Sequence, residues 1–481
     1  MSDRKFLGLD FGTRRCGMAV YGDGRPELVA AGSRNGGVSS IVARSGDGQP
    51  EPGQPDTEPV PSDRRARSAK RLLVEADLAD ELPEALRPVA TVLRRVKTTA
   101  EERLGTEMPH LVMAVPTRLS VRRRKLLADV AEVVGFSRMH PLDETTAAVM
   151  AYGHGTEANG TVLAMDVGAR TVSTSLVDIN GGAYEVLATT GELHFGGDDW
   201  DEAVVDWAID RTGVETVPDS ARSRLREQAE RAKRDLAVHE QTEVTVPTDG
   251  RNRQLTLTRS KFEHVTTSLT GRLTDQLRQV CSDAGVTPQE IDEVVLTGQT
   301  ARLPQVRSTV TEFAGSEPTD GIDPETAVAR GIAVQAGVYG GRCDDVVALP
   351  SHGTAIGIRS GDGAFQPVLE QDVTFPTSET VVGTTSSDDA SAMRFDVYQG
   401  NRDAVTENEL IGSFRVAGLP SAPSGKPDVE LSFHLDERGL LHVDAEETAL
   451  ETATEVTVEG DIGLSDRERK ELETWLTERD R

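Results

Sequence analysis

The chain has 481 residues, too long for one compact core and long enough for two or three domains that each bury an interior. Its formal net charge of -28, from 80 acidic against 52 basic residues, disfavours nucleic acid and anionic membranes as partners, because both would be repelled. The acid is spread along the whole chain and only 8 of the basic residues are lysine, a balance expected of a halophilic surface whose mutual repulsion is screened by salt.

Cys16, Cys281 and Cys343 have no CxxC spacing and no histidine cluster beside them in sequence, so reduced thiols are expected rather than a metal centre or disulfide framework. No apolar run reaches the roughly 18 residues needed to cross a membrane, and the expectation is a soluble, cytoplasmic protein.

In chain order, Phe6 to Asp10 and Gly17 to Tyr21 predict two strands of a hairpin with the polar tip Asp10-Phe11-Gly12-Thr13. A similar device returns at Thr161 to Val177 around Asp166-Val167-Gly168 and Thr171, suggesting an internal duplication. Between them, Ser45 to Asp63 is rich in Gly, Pro, Asp and Glu and is expected to be a solvated loop or disordered insert. Helices are predicted over Arg122 to Val134, stopped by Gly135, then over Ala221 to Leu236 and Lys261 to Ala284, with a strand at Glu293 to Leu296. Alternating helix and strand up to about Gly340 predicts an α/β domain. Period-two runs from Val346 onward predict an all-β domain of short strands ending near Val458, and Ser465 to Arg481 reads as one charged helix capping it.

A hairpin tip of this type surrounds a phosphate with backbone N–H groups and a hydroxyl, while its carboxylate can hold a hydrated divalent cation. Two facing tips could clamp a triphosphate. Six ordered segments carry a family resemblance: Leu9 to Thr13, Ala114-Val115-Pro116, Asp143 to Ala148, Gly191 to Asp199, Glu230 to Arg234, and Leu296 to Pro304. Together they resemble the ATPase domain of the heat-shock-70 chaperones, and the likeness extends to about residue 457. The resemblance implies an actin-like two-lobed ATPase domain (1–343), a linker (344–350), a β-sandwich peptide-binding domain (351–458) and a short C-terminal helix (459–481).

It also implies roles. Asp10 and Asp166 would hold Mg²⁺ through its water shell, with Gly12, Thr13, Gly168 and Thr171 against the phosphates of ATP or ADP. Lys70 and Glu144 would act on the γ-phosphate and the metal's waters, although a helix lysine is otherwise often just solvated. Gly196 and Gly197 would approach phosphate. Glu230, Lys233 and Arg234 share a helical face suited to gripping adenine and ribose, with Gly298, Arg302 and Glu325 on the opposite side. Pro116 and Arg124 match a switch proline and its arginine partner. Ile358, Gly383, Met393 and Phe395 would line the pocket for a peptide side chain, although core packing would explain Met393 and Phe395 almost as well. The partners implied are unfolded or extended polypeptides and a divergent J-domain cochaperone or nucleotide exchange factor.

Departures from the family pattern cluster at the catalytic centre. Ala169 and Arg170 interrupt a glycine run, and a Cβ in a left-handed conformation there would cost roughly 1–2 kcal/mol. Ser173 stands where the family has a carboxylate. Arg14, Arg15 and Arg170 add positive charge, and one of them is expected to meet a phosphate directly. Gln299 replaces a glycine, Glu325 a shorter acid and Gly383 a bulky residue. His140 and Pro350 fall at positions of J-domain contact. Asp345 to Leu349 reads either as an interdomain linker that docks on the ATPase domain or as the first strand of the sandwich. The chain stops one helix past the sandwich, so a lidless chaperone with fast peptide release is expected. Hydrolysis is expected to be slow, and a non-hydrolysing binding or exchange protein remains the alternative. A kinase of the same superfamily would need a dedicated substrate base that the motifs do not supply.

Overall fold

The computed structural model describes residues 5–29, 37–44, 50–52, 67–75, 82–213, 219–248, 251–361, 363–426, 428–447, 457–459 and 462–478. Two sheets organise the first part. In one, Phe6–Phe11 pairs antiparallel with Arg15–Gly22 and parallel with His110–Val115, beyond which Arg138–Asp143 follows. In the other, Gly160–Val167 pairs antiparallel with Val172–Asn180 and parallel with Glu293–Thr297. Asp10 and Asp166 occupy matching registers, each opposite its hairpin partner on one side and a parallel strand on the other. The predicted duplication is therefore a duplicated strand arrangement.

Helices Glu144–Gly153 and Ala327–Tyr339 lie between the sheets, and a shared apolar core joins Val112 and Ala114 of one sheet to Val162 and Ala164 of the other. Their crossing is close enough to require glycine. A Cβ on Gly331 would come within 1.6 Å of the Ala147 carbonyl oxygen. The result is the expected two-lobed α/β arrangement.

The predicted helix at Arg122 runs Val121–Val133; the Ser120 hydroxyl accepts from Arg123 N and Gly135, at φ +102°, ends the turn. The single helix expected over Lys261 to Ala284 is two, Arg259–Val265 and Thr267–Ala284. Thr266 causes the break: its backbone leaves helical geometry and its hydroxyl donates to Phe262 O at 2.8 Å. Of the expected loop at Ser45 to Asp63, Pro50–Pro52 forms a strand against Ile41–Arg44, while 45–49 and 53–63 lie outside the described residues.

The last part is a β-sandwich. Phe365–Leu369, Ile356–Arg359, Ala392–Gln399, Glu409–Ala417 and Thr457–Glu459 form one sheet; Thr377–Thr384, Asp428–Leu435 and Leu441–Glu447 form the other. Val397, Phe414, Leu431 and Phe433 lie in the core between them.

Two placements decide questions that periodicity left open. Val347–Leu349 pairs parallel with Ala183–Glu185 at the edge of the second lobe's sheet, so it belongs to that sheet and not to the sandwich. The C-terminal helix, Asp466–Glu478, does not cap the sandwich as expected. Leu464, Leu472 and Leu476 join the first lobe's core against helices Leu82–Leu104 and Val121–Val133. Buried Asp129 anchors it, accepting from Leu464 N at 2.9 Å and pairing with Lys125 and Arg469, each at 2.7 Å. The apolar stripe needed a partner, and the first lobe presents the buried carboxylate that matches Arg469. Among the described residues no helix is long and apolar enough to cross a membrane.

Candidate functional site

The two hairpin tips face each other across a cleft of about 1060 Å³. Asp10, Gly12, Thr13 and Arg14 line it from the first lobe and Asp166, Gly168 and Thr171 from the second; Lys70 and Glu144 complete the inner wall. Glu230, Lys233, Arg234, Gly298, Arg302 and Glu325 line its outer end. Of the nucleotide-site residues predicted from sequence, Gly196, Gly197 and Arg170 are not among those lining the cleft, whereas Arg14 and Arg15 are. The two glycines sit behind the loop 168–171: Gly197 N donates to Gly168 O at 2.9 Å, and a Cβ on Gly196 would lie 2.6 Å from Arg170 N. They position that loop, and helix Gly197–Thr212 starts from it.

Lys70 is buried, so the solvated-lysine reading fails; its ammonium donates to Glu144 Oε1. Burial works against its charge, but Glu144, Asp10 and Asp166 outweigh burial and raise its pKa. Asp10 is pushed up to about 7 by burial and then by Glu144, with Lys70 opposing. Asp166 also rises to about 7, through burial and Glu144, against a 2.7 Å hydrogen bond donated by Thr297 Oγ1. Glu144 Oε2 is buried and has no hydrogen-bond partner among the described residues. Three carboxylates converging around one lysine, with one oxygen unsatisfied, form a hard-oxygen donor set suited to a hydrated divalent cation such as Mg²⁺.

Several partners were not legible in advance. Arg14 does not point alone into the cleft; it donates to Glu230, bridging the lobes, and lies 3.9 Å from Asp198. Lys233 donates to Gly197 O at 2.6 Å and lies 2.8 Å from Asp201, whose pKa burial raises to about 6 although Lys233 opposes the rise. Gln299 donates to Glu325, and Arg302 lies 3.3 Å from Asp323. Thr297, Asp198 and Thr300, whose hydroxyl donates to Gly168 O at 3.1 Å, lie inside the quoted segments but carry no separate signal of these bonds.

The expected strain at Ala169 is absent. Asp23, Asp372 and Asp389 are the only described non-glycine residues with positive φ, so neither Ala169 nor Arg170 is left-handed. Ser173 accepts from Thr117 N at 3.4 Å, and Thr117 Oγ1 donates to Thr190 O at 3.2 Å, tying the turn after Pro116 to the second lobe. Arg124 sits under that turn. Its Nε donates to Leu119 O at 3.0 Å, and Nη2 donates to Asp143 Oδ1 at 2.5 Å, one residue before Glu144. The turn continues into sandwich contacts: Arg118 donates to Gly353 O at 3.1 Å and Val121 N to Gln399 Oε1 at 2.9 Å.

In the sandwich, Ile358, Met393 and Phe395 are partly buried against its core, and a Cβ on Gly383 would sit 3.0 Å from Met393 Cε. Phe395 stacks on Phe414 with ring centroids 5.5 Å apart. Gly383 and Met393 approach each other across the two sheets, and Ile358 lies on the strand beside the one that carries Met393 and Phe395. His140 is buried beneath Tyr339, 4.3 Å between centroids, and so is not a surface contact for another protein.

Comparison with known proteins agrees with this architecture. A family profile described as Hsp70 protein matches residues 44–480. Chaperone protein DnaK from each of two strains of Halobacterium salinarum is 36% identical over 492 aligned residues, covering 98% of this chain and 78% of the relative. With an actin-like two-lobed α/β part bearing this cleft and a β-sandwich behind it, the chain belongs to the Hsp70 family.

Proposed function

We propose that this chaperone binds extended, apolar polypeptide segments in its sandwich under the control of ATP and ADP held in the cleft. The observation that carries the reading is physical continuity. The pair Lys70–Glu144 follows Asp143, Asp143 is held by Arg124, and Arg124 grips the turn whose residues Arg118 and Val121 bond the sandwich.

In this proposal Thr13 and Thr171 hydrogen-bond the phosphates, and Glu230, Lys233, Arg234 and Arg302 frame adenine and ribose. Lys70 supplies positive charge at the γ-phosphate and orients the attacking water, with Glu144 holding the lysine in place. Asp10, Asp166 and Glu144 would hold Mg²⁺ through water. The ion would supply charge neutralisation for the phosphates. Ile358, Gly383, Met393 and Phe395 would take the peptide side chain, after Met393 moves away from Gly383. The domain limits proposed are 1–343, 344–350, 351–458 and 459–481. A J-domain cochaperone or an exchange factor remains the expected regulatory partner.

The test is anisotropy of a labelled unstructured apolar peptide in molar KCl, with and without ATP and Mg²⁺, beside single-turnover hydrolysis. Peptide affinity is expected to fall on adding ATP, and Lys70→Ala and Thr171→Ala are expected to bind ATP but lose turnover. ATP binding without any turnover in the parent would favour the non-hydrolysing reading, which Ser173 supports because no carboxylate stands there. Peptide affinity indifferent to nucleotide would refute the coupling.

A further inference from the structure

His154, Cys343 and Asp345 each direct one ligand atom into a common space, all within 4.8 Å of one another. His154 comes from the end of the helix between the sheets, while Cys343 and Asp345 stand two residues apart between helix Ala327–Tyr339 and strand Val347–Leu349. Sequence spacing argued against a metal at any cysteine. Only the fold brings the histidine to Cys343.

The hydrogen bonds define the histidine's chemistry. The Tyr21 hydroxyl donates its one hydrogen to Gly24 O at 3.0 Å, and its oxygen lies 3.2 Å from His154 Nε2. The same hydroxyl also meets the Cys343 thiol; with its hydrogen on Gly24 O, Nε2 donates to Tyr21 and the lone pair lies on Nδ1. That nitrogen is buried with no partner among the described residues. Cys343 is buried and its thiol donates to Asp345 Oδ1 at 3.2 Å, while Asp345 itself is exposed to solvent. An imidazole nitrogen, a thiol and a carboxylate form a mixed set that suits zinc-class divalent ions, unlike the all-oxygen set proposed to hold Mg²⁺ in the cleft. Tyr21 already supplies the outer hydrogen bond that fixes a ligating imidazole.

We propose that His154, Cys343 and Asp345 form a three-residue site for a zinc-class divalent transition metal, with its fourth position open to solvent. Ligand atoms around such an ion stand roughly 3.5 Å apart, so a small contraction closes the set. On binding, the metal–sulfur and metal–oxygen bonds replace the thiol-to-carboxylate hydrogen bond, and the thiol proton leaves to solvent. The consequence lies next door. Gly182, against which Asp345 packs, accepts from Val347 N at 2.9 Å, so the metal would fasten the root of the linker strand to the second lobe.

The experiment titrates Co²⁺ into the full chain, reduced and stripped with chelator, in molar KCl containing excess Mg²⁺. One equivalent is expected to produce thiolate-to-cobalt charge-transfer absorption with tetrahedral d–d bands, and Zn²⁺ is expected to displace it. Cys343→Ser should abolish the charge-transfer band, while Cys16→Ser and Cys281→Ser keep it. His154→Gln and the surface change Asp345→Asn should melt like the parent and weaken binding by at least about tenfold, the loss that even an outer partner can cause. No tetrahedral cobalt spectrum, a band that survives Cys343→Ser, or unchanged affinity in both His154→Gln and Asp345→Asn overturns the site.

Discussion

Arg124→Ala tests the joint between the interlobe cleft and the sandwich. The guanidinium is buried, and its loss leaves the Asp143 carboxylate and the carbonyls of Thr117 and Leu119 without their donor. Removing one partner of a buried ion pair costs about 3–5 kcal/mol. A ceiling follows from protonation. Asp143 can escape as a neutral acid, and neutralising an ordinary carboxyl at pH 7 costs about 4 kcal/mol, at about 1.36 kcal/mol per pH unit. Burial already raises the Asp143 pKa in the parent, with Arg124 the main opposing influence and Glu144 adding to the rise, so the escape is open. Arg124→Ala is thus expected to lose about 4 kcal/mol at pH 7 and less at lower pH, where protonation is easier. Asp143→Asn combined with Arg124→Ala should lose less than the sum of the single changes by about 2 kcal/mol, because no charge is stranded. Urea unfolding of the four proteins at pH 7 and pH 5.5 measures both quantities. Additive losses within about 0.5 kcal/mol, or a deficit unchanged by pH, would refute the assignment of Arg124 as the counter-charge that holds Asp143.

His352, buried near Arg124 and Arg118, has its pKa lowered to about 3, first by burial and then by those two cations. Above pH 6.5 it is neutral folded or unfolded; below that value only the unfolded chain takes up the proton, so stability falls as pH drops from 6.5 toward 3. By pH 5 the loss is about 2 kcal/mol, and His352→Gln should lack that part of the acid sensitivity when urea midpoints at pH 7 and 5 are compared. Gly331→Ala should cost about 1–3 kcal/mol in thermal and urea unfolding, because its methyl meets the Ala147 carbonyl at the helix crossing. Asp129→Ala should free the C-terminal helix, read as faster amide exchange over Asp466–Glu478 while exchange in strand Gly160–Val167 stays slow. Equal protection of that helix in parent and variant would mean that Leu472 and Leu476 alone hold it.

What could be read from residue order is what short stretches of chain decide for themselves. The turns at Asp10 to Thr13 and Asp166 to Thr171 are local, and so is the helix stop at Gly135, with positive φ. The break at Thr266 is also local, but a β-branched hydroxyl residue is tolerated inside helices often enough that only its bond to Phe262 O reveals it. The strain assigned to Ala169 failed for a related reason: it assumed that this loop kept the backbone of a glycine run, whereas replacing glycine lets the chain take an ordinary φ. Long-range choices were not encoded in pattern. Val347, Ala348 and Leu349 would serve as well in either sheet, since an edge is completed through backbone groups that every residue carries. The stripe Leu472, Trp475 and Leu476 requires an apolar surface but does not name one, and the deciding feature, Asp129, looks in sequence like any exposed helix acid.

The same limit bears on function. The cleft was legible because each lobe brings its carboxylate on a recurring hairpin, whereas the cluster of His154, Cys343 and Asp345 depends on where two helices end relative to each other. Both halves of the molecule meet at the linker strand: its root lies beside that cluster, and the strand itself adds to the sheet that carries Asp166. A strand of three residues offers few backbone bonds, and Val347 and Leu349 remain exposed, so its own pairing is weak. Its docking must therefore draw on neighbours on both sides. On one side stand the sandwich contacts made through Arg118, Ser120 and Val121; on the other stand Cys343 and Asp345. Under the proposed coupling, a change in the cleft that loosens the turn at Thr117 would remove the first support and leave the strand dependent on the second, where the proposed metal would bind.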